Sequence, residues 1–298
     1  MRHANPLGLI ILTAFIWTGG PAAAQTQAPI DGNVVRVVAT VTDRHNRLVP
    51  NLVPADFEVE DNGVRQVLTS FGAEVRPLTA TVILDRSDSM SLGPNGLRAA
   101  AERFVTGLGP EDQARICAFA NFVACSPGYT TDHDEVARDA RRSKTGFGSR
   151  LLDAMSSGIE PMAVVPDGRR RVLLVFSDGE DNGSRTRLRA VIDRARPLDV
   201  MVYGIGIQAR YFDGDDFVDS RPDLTLMTLA IETGGGYFEP DKASDLVATV
   251  DRIAEELRSQ YLLEFRSSAP NGRAHRIRVR IRASTFKVRA RRSYLNGS

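Results

Sequence analysis

The sequence predicts an α/β fold in which a doubly wound, mostly parallel sheet is flanked by helices. Four stretches are apolar on both faces, as parallel strands covered by helices on each side are. They lie at residues 79–84, 114–120, 171–177 and 199–207. Amphipathic helical patterns alternate with these strands, and this alternation is typical of a doubly wound sheet.

The clearest helical patterns lie at residues 97–108, 187–196 and 241–259. In each, apolar residues recur at the spacing that places them on one face of a helix. Ser184 and Ser244 precede the second and third patterns and are predicted to cap them, and Pro197 is predicted to end the second.

Two shorter β segments, residues 25–77 and 261–298, flank the α/β unit at residues 78–260. Alternating stretches predict strands at 35–41, 57–60 and 64–71 in the first segment, and at 261–265, 276–282 and 286–294 in the second. Neither segment is long enough to bury its own apolar face comfortably. We therefore predict that they pack on each other as one small β domain. Two independent hairpin modules, the alternative, would leave sheet edges and apolar faces exposed.

The first 24 residues resemble a cleaved secretory signal. Arg2 and His3 precede an apolar run at residues 7–17, and small residues end in Ala24, the predicted cleavage position. A membrane anchor is the alternative, but the run is shorter than the roughly 20 residues that span a bilayer. We expect a periplasmic or extracellular protein with no transmembrane span in the mature chain.

The charge of the chain gives no reason to expect a nucleic-acid partner. The 298 residues include 38 basic and 37 acidic side chains, for a formal net charge of +1. Residues 1–24 contain Arg2 and no acidic residue, so their removal brings the formal charge to zero. A neutral chain has no bulk field that would attract a polyanion.

Cys117 and Cys125 lie in a strand–turn–strand pattern centred on Asn121. Antiparallel pairing about that centre would place the two side chains opposite each other. A disulfide would persist in an exported protein, but two buried thiols fit the spacing equally well. No further cysteine or close histidine completes a metal site with them.

Oxygen-bearing side chains follow the predicted parallel strands. Asp85, Ser87 and Ser89 follow the first strand, Ser149 precedes a helix, and Asp178 follows the third strand. The carboxyl ends of parallel strands are where open α/β sheets bind ligands. A set with oxygen ligands alone suits a hard divalent cation.

These three loops resemble the metal-ion-dependent adhesion site of von Willebrand factor type A domains, also called integrin I-like domains. The family's Asp-x-Ser-x-Ser motif matches Asp85, Ser87 and Ser89, its second-loop threonine falls on Ser149, and its third-loop aspartate falls on Asp178. The resemblance covers about residues 78–260. The flanking segments are similar to those of an exported bacterial subgroup of the family.

The resemblance implies a function. The hydroxyls of Ser87, Ser89 and Ser149 would bind Mg²⁺, with Mn²⁺ or Ca²⁺ as alternatives, while Asp85 and Asp178 would act largely through bound water. One coordination position would stay open for an Asp or Glu carboxylate of a partner protein. The expected protein is therefore an exported adhesion or scaffolding module and not an enzyme. Ser149 departs from the family because it lacks the methyl group that stiffens threonine, and a helix-capping serine is the alternative.

Two other hypotheses remain open. A secreted metal-dependent hydrolase is the first, but His45, His133 and His275 are scattered and no nucleophile elbow, phosphate-binding loop or zinc-binding helix motif is present. The second is a structural module whose metal site is empty.

Two charged stretches lie outside the proposed ligand set. Residues 211–223 contain five aspartates, which suit either a second cation or a solvated rim, but the closing Glu and turn Gly of a helix–loop–helix calcium site are missing. In residues 276–282, arginines alternate with aliphatic residues. This pattern suits either a polyanion contact or an ordinary strand with one solvated face.

Overall fold

The computed structural model describes residues 34–88, 93–207, 210–212, 217–219, 224–240, 245–267, 272–283 and 285–295. The predicted signal at residues 1–24, together with Ser89, Ser244 and most of the aspartate-rich loop, lies outside this part of the chain. The helices are α1 (Gly93–Thr106), α2 (His133–Arg142), α3 (Leu151–Ile159), α4 (Leu188–Ala195), α5 (Leu224–Thr233) and α6 (Asp245–Arg258).

The strands belong to one central sheet, two terminal sheets and one small hairpin. In chain order they are β1 (Val34–Thr42), β2 (Phe57–Asp61), β3 (Val64–Gln66), β4 (Leu68–Ala73), β5 (Leu78–Asp85), β6 (Gln113–Phe119), β7 (Val123–Cys125), β8 (Arg170–Ser177), β9 (Val200–Gly206), β10 (Arg210–Phe212), β11 (Phe217–Asp219), β12 (Tyr237–Phe238), β13 (Tyr261–Arg266), β14 (Ala274–Ile281), β15 (Lys287–Ala290) and β16 (Ser293–Leu295).

The central sheet contains the four strands that are apolar on both faces. Its order is β12-β9-β8-β5-β6-β7, and only the β6–β7 pair is antiparallel. Every residue of β5, β8 and β9 is buried. Helices α1, α2 and α6 pack on one face and α3, α4 and α5 on the other. The predicted doubly wound α/β fold is confirmed.

The two ends of the chain combine in two antiparallel sheets, with orders β15-β1-β13-β4 and β16-β14-β2-β3. Each sheet contains strands from both terminal segments. Their apolar faces share one cluster that includes Val37, Phe57, Leu263, Phe265 and Ile277. The division of the chain into domains at 25–77, 78–260 and 261–298 stays a prediction.

Two predicted strands are each divided between the terminal sheets. Residues 64–71 form β3 in one sheet and the start of β4 in the other, with Val67 83% exposed between them. Residues 286–294 likewise contain β15 and most of β16, separated by Arg291 and Arg292. Apolar alternation predicts that a stretch is extended, but it does not reveal where the chain passes from one sheet to the next.

The predicted cap of α4 is wrong. The N-cap residue of α4 is Arg187, and no side chain caps the helix there. The hydroxyl of Ser184 instead accepts a hydrogen bond of 3.0 Å from the backbone N–H of Asp153, in the first turn of α3. Ser184 therefore stabilises the start of a different helix, at the carboxyl edge of the central sheet.

Cys117 and Cys125 face each other in the β6–β7 pair, with their Cα atoms 4.0 Å apart and their sulfur atoms joined. Within the part of the chain described above, no helix is both long enough and apolar enough to cross a membrane.

Candidate metal centre

Asp85 connects two of the predicted metal-binding loops. It is the last residue of β5, and its carboxylate is fully buried. Its Oδ1 accepts hydrogen bonds from the Ser87 backbone N–H at 3.0 Å and the Ser87 hydroxyl at 2.6 Å. Its Oδ2 accepts a hydrogen bond of 2.7 Å from the Ser177 hydroxyl at the end of β8. The parallel β5–β8 pairing brings these two strand ends together.

The environment of Asp85 perturbs its ionisation. Burial raises the pKa of the Asp85 carboxyl to about 6, because the charged form loses contact with water. The hydrogen bonds from Ser87 and Ser177 act in the opposite direction, and the nearby charge of Asp178 raises the pKa further. The buried carboxylates of Asp85 and Asp178 lie near each other, and a positively charged group beside them would stabilise their ionised forms.

Ser149 lies next to the loop that carries Asp178. Its backbone N–H donates to the Asn182 side-chain oxygen at 2.9 Å, and its carbonyl accepts a hydrogen bond of 2.8 Å from the Gly183 N–H. The preceding Gly148 has a φ of 64°, a left-handed conformation that glycine adopts without strain. This turn brings the second loop against the third.

The hydroxyl of Ser149 is buried and has no hydrogen-bond partner among the described residues. It does not cap α3, whose N-cap residue is Arg150. The capping interpretation of Ser149 is therefore wrong. A buried polar atom without a partner normally costs free energy, so such an atom indicates an unseen partner.

Asp178 directly follows β8, and its side chain is 8% exposed. Its Oδ1 accepts a hydrogen bond of 3.1 Å from the Glu180 backbone N–H. The neighbouring Ser177 hydroxyl, which donates to Asp85, also accepts from the Gly179 N–H at 3.0 Å. These bonds fix the third loop around the two carboxylates.

Asp153 ties the second loop to the segment after Asp178. Its carboxylate accepts hydrogen bonds from the Arg150 side chain at 2.6 Å and the Thr186 backbone N–H at 2.9 Å. Burial alone would raise the pKa of Asp153, but the hydrogen bonds from Thr186, Arg150 and Arg185 outweigh it and lower the pKa to about 2. The carboxylate therefore stays ionised at neutral pH and holds the two loops together.

The structure thus places Asp85 at the end of β5, and Ser87, Ser149 and Asp178 on loops at the same edge of the central sheet, while Ser89 lies outside the described residues. Within the described part of the chain, no group of three or more His, Cys, Asp or Glu side chains could hold a metal ion. The set has two carboxylates and otherwise hydroxyls, which suits a hard cation that keeps some of its water.

Sequence reasoning missed three residues at this edge. Ser177 and Asn182 act through hydrogen bonds to Asp85 and Ser149, and their only signal was their place in the same loop as Asp178. Arg86, between two proposed ligands in the sequence, is 2% exposed. Burial lowers its pKa, as does nearby Arg98, whereas Asp85 raises it.

Comparison with known proteins assigns the family. The family model of the von Willebrand factor type A domain matches residues 81–251. The chain therefore belongs to the von Willebrand factor type A domain family. A search of curated proteins found no match.

Solved structures share the fold at low sequence identity. An aerotolerance-related membrane protein from Bacteroides fragilis is 16% identical, with a TM-score of 0.50 over 60% of this chain and 98% of that one. A von Willebrand factor type A protein from Catenulispora acidiphila is 9% identical, with a TM-score of 0.53 over 88% and 73%. Proximal thread matrix protein 1 from the mussel byssus, with a zinc-occupied metal-ion-dependent adhesion site, is 12% identical, with a TM-score of 0.51 over 66% and 49%.

Proposed function

We propose that this protein is an exported binding module that recognises an acidic residue of a partner protein through a divalent cation. The proposed ligands are Asp85, Ser87, Ser89, Ser149 and Asp178. The observation that carries the proposal is the buried Ser149 hydroxyl, which has no hydrogen-bond partner among the described residues and lies beside the loop of Asp178. A cation bound at this place would be a partner for this oxygen.

The residues of the chain have distinct roles in this proposal. Asp85 and Asp178 supply negative charge, and the hydroxyls of Ser87 and Ser149 supply neutral oxygens. Ser177 and Asn182 hold Asp85 and Ser149 in place through hydrogen bonds of 2.7 and 2.9 Å. Bound Mg²⁺, or Mn²⁺ or Ca²⁺ in its place, would offer a coordination position to an outside carboxylate. Family membership and the zinc-occupied site of the mussel protein support this assignment.

Two alternative functions, a hydrolase and a structural module with an empty site, fit the described residues less well. A metal-dependent hydrolase would need a proton-transfer group, but the three histidine rings in the described part of the chain bond elsewhere: His45 contacts Arg44, His133 contacts the Asp112 carbonyl, and His275 contacts Asp61. A structural module with an empty site would leave the Ser149 hydroxyl with no partner among the described residues. We therefore propose no catalytic residue.

Thermal unfolding with and without metal tests the site. Millimolar Mg²⁺ or Mn²⁺ should raise the melting temperature, because a ligand that binds the folded state at about 100 times its Kd adds about 2.7 kcal/mol of stability. Asp85→Asn, which keeps the shape of the side chain, should remove this increment. Asp181→Ala, an exposed aspartate in the third loop, is the matched control and should keep it. An increment that survives in Asp85→Asn would reject the ligand set.

Capture of partners from a cell-envelope extract tests the function of the site. Partners that are retained with Mg²⁺ and released by EDTA, and that the Asp85→Asn protein does not retain, would support the binding module. Metal-dependent product formation without a retained partner would favour the hydrolase.

A further inference from the structure

A buried arginine lies beside the bond between Cys117 and Cys125. The Arg115 side chain is buried, and its Nη2 atom donates a hydrogen bond of 3.3 Å to Cys117 Sγ. The same atom donates to the Ser157 carbonyl of α3 at 3.4 Å, and the guanidinium lies 5.7 Å from the centre of the Tyr129 ring. Among the described residues, no carboxylate forms an ion pair with Arg115. Its buried charge therefore has no counter-ion in that part of the chain.

The position of Arg115 affects the redox chemistry of the bond. Burial lowers the pKa of the guanidinium, because the charged form loses contact with water. Reduction would leave a sulfur at Cys117 that can ionise, and a neighbouring cation stabilises a thiolate. Any interaction that stabilises the reduced form makes a disulfide easier to reduce. Arg115 therefore favours opening of the bond.

The two sulfur atoms differ in access. Cys117 is fully buried, whereas Cys125 is partly exposed on β7, the outermost strand of the central sheet. A thiolate of a reduced dithiol would attack Cys125 Sγ, and the electron pair of the broken S–S bond would pass to Cys117 Sγ beside Arg115. The second thiol of the reductant would then displace Cys125 from the mixed disulfide and give its proton to the Cys125 sulfur. Two electrons pass to the protein, and the dithiol leaves as a disulfide.

The β6–β7 hairpin is joined to the candidate metal centre through the main chain of Arg86, which lies between two proposed ligands. The Arg86 N–H donates to the Phe119 carbonyl at 2.8 Å, and the Arg86 carbonyl accepts from the Gly146 N–H at 3.0 Å. Phe119 is the last residue of β6, two positions after Cys117. Hydrogen bonds thus connect the hairpin, the loop after β5 and the segment that leads to Ser149.

The turn of the hairpin also packs against that segment. A Cβ at Gly146 would lie 2.9 Å from the Cβ of Ala120 and from the Asn121 side-chain oxygen, so the two chains are in direct contact. Leu151, at the start of α3, belongs to the same apolar cluster as Cys117. A shift of the hairpin would therefore disturb the loop that carries the proposed hydroxyl ligand.

Few other interactions hold β7 in place. The strand has three residues, and within the described part of the chain it pairs with β6 alone. Just after it, the Ser126 N–H donates to the Ile116 carbonyl at 2.8 Å, and the Ser126 hydroxyl donates to Asp139 of α2 at 2.6 Å. The crosslink is therefore a large part of what fixes this edge of the sheet.

We propose that the Cys117–Cys125 bond is a redox switch for the candidate metal centre, and that a reduced dithiol opens it and so weakens cation binding. The inference rests on the proposed function, because the site it controls is the same metal site. In the closed form, the crosslink holds the turn against the loops of the centre. In the open form, Arg115 and the Cys117 thiolate form an ion pair and the turn is released. The chemical class of the partner is a thiol–disulfide oxidoreductase that presents a reduced dithiol.

Mn²⁺ binding by the oxidised and the reduced native protein tests the switch. The protein is reduced with a phosphine under argon and freed of reductant by gel filtration, and electron paramagnetic resonance measures the free Mn²⁺. The reduced protein should bind Mn²⁺ at least about threefold more weakly than the oxidised protein. The double variant Cys117→Ala, Cys125→Ala is the control, and it should bind as the reduced protein does with or without the phosphine treatment.

The outcomes separate the switch from the function on which it rests. Equal Mn²⁺ affinity of the oxidised and reduced proteins would overturn the switch and leave the metal-dependent function untouched. Absence of Mn²⁺ binding in both forms would reject the proposed function and the switch together.

Redox titration in dithiothreitol buffers tests the role of Arg115 without any metal. Arg115→Met keeps an unbranched side chain but removes the charge, so the ratio of dithiol to disulfide at a given buffer potential should fall about tenfold, which corresponds to about 30 mV for two electrons. Arg115→Lys keeps the charge and should stay within about threefold of the native ratio. Circular dichroism checks that both variants are folded.

An unchanged ratio in Arg115→Met would overturn the redox role of Arg115, and with it the proposal that the bond is built to open. If Arg115→Met failed to fold, the Mn²⁺ comparison, which uses the native chain, would still decide whether the bond controls the metal centre.

Discussion

At the scale of single residues, Ser149 is the most informative side chain in the candidate centre. Its hydroxyl is buried and has no hydrogen-bond partner in the part of the chain that the structure describes, whereas the Ser177 hydroxyl, also buried, donates to Asp85 and accepts from Gly179. The two serines lie at the same edge of the sheet but differ in what their hydroxyls contact. Alanine at each position should therefore have opposite consequences for stability.

Ser149→Ala removes a buried polar atom that has no described partner, so in EDTA we expect stability equal to the native protein or up to about 1 kcal/mol higher. The same variant should lose the stabilisation by Mg²⁺. Ser149→Thr keeps the hydroxyl and should keep the response. Thermal and urea unfolding, each with Mg²⁺ and with EDTA, measure both effects.

Ser177→Ala is the contrast to Ser149→Ala. It removes a hydrogen bond to a buried carboxylate and should cost about 1.5–3 kcal/mol with or without metal. If Ser149→Ala destabilised the EDTA-treated protein as much as Ser177→Ala does, the Ser149 hydroxyl would have a hydrogen-bond partner within the protein. This result would contradict its assignment as a metal ligand.

At the scale of secondary-structure elements, the two cysteines of the β6–β7 hairpin are placed to form a disulfide. Cys117 is fully buried, and its Cα lies 4.0 Å from that of Cys125. The hairpin forms the end of the central sheet, and β6 also contacts α2 and α3. A crosslink at this place would restrict the unfolded chain and hold the last strand on the sheet.

We predict that Cys117 and Cys125 form a disulfide when the protein is produced in an oxidising compartment. Mass spectrometry without reductant should find one crosslinked peptide pair, and alkylation should label neither cysteine. Reduction should cost about 2–3 kcal/mol, the range for a short loop. The double variant Cys117→Ala, Cys125→Ala controls for the reductant and should not respond to it. Quantitative alkylation of both thiols in the native protein would contradict the prediction.

The sequence predicted those elements whose burial leaves an unambiguous pattern. All residues of β5, β8 and β9 are buried, so their apolar runs were diagnostic. Helix α2 was missed because it buries only Val136, Ala137 and Ala140 among charged residues. Helix α5 was missed for the opposite reason: it is apolar nearly all round, with Leu224 71% exposed, and shows little periodicity.

In the candidate centre too, some residues could be predicted from local sequence patterns and others could not. The positions of Asp85, Ser87 and Asp178 could be predicted because these residues lie at or just after the ends of strands. That they bind a metal together with Ser89 stays a prediction. Asn182, Asp153 and Ser184 could not, because their hydrogen bonds join residues about 30 positions apart in the sequence. Pairings of that kind depend on how the loops meet, which no local sequence pattern records.

At the scale of the whole molecule, a buried polar network joins the terminal sheets to the α/β layer. Glu256 of α6 accepts hydrogen bonds from the Tyr203 hydroxyl at 2.6 Å, from Thr40 of β1 at 3.4 Å, and from Arg289 of β15. Burial, together with the charge of Glu256, raises the pKa of Tyr203 well above its usual value, so this hydroxyl keeps its proton to donate.

Gln260 extends the network. Its side-chain N–H group donates to Thr40 at 3.0 Å and to Tyr203 at 3.1 Å, and its oxygen accepts from Arg170 of β8 at 3.0 Å. The network thus connects four strands of two different sheets, β1, β8, β9 and β15, to the end of α6. Because its members come from both chain ends and from the middle, it couples the stability of the terminal sheets to that of the α/β layer.

Glu256→Ala should destabilise the protein by about 2–4 kcal/mol, because Tyr203 and Arg289 lose their shared acceptor. Glu256→Gln keeps an acceptor for Tyr203 but removes the charge opposite Arg289, so we expect a smaller loss of about 1–2 kcal/mol. Glu255→Ala, at the exposed neighbouring position of α6, is the control and should change stability by less than about 0.5 kcal/mol. Urea unfolding followed by far-UV circular dichroism measures all three. In the cycle that combines Glu256→Ala with Arg289→Ala, we expect a coupling energy above about 0.5 kcal/mol. A coupling energy near zero would show that the Glu256–Arg289 pair does not contribute to joining the two sheets.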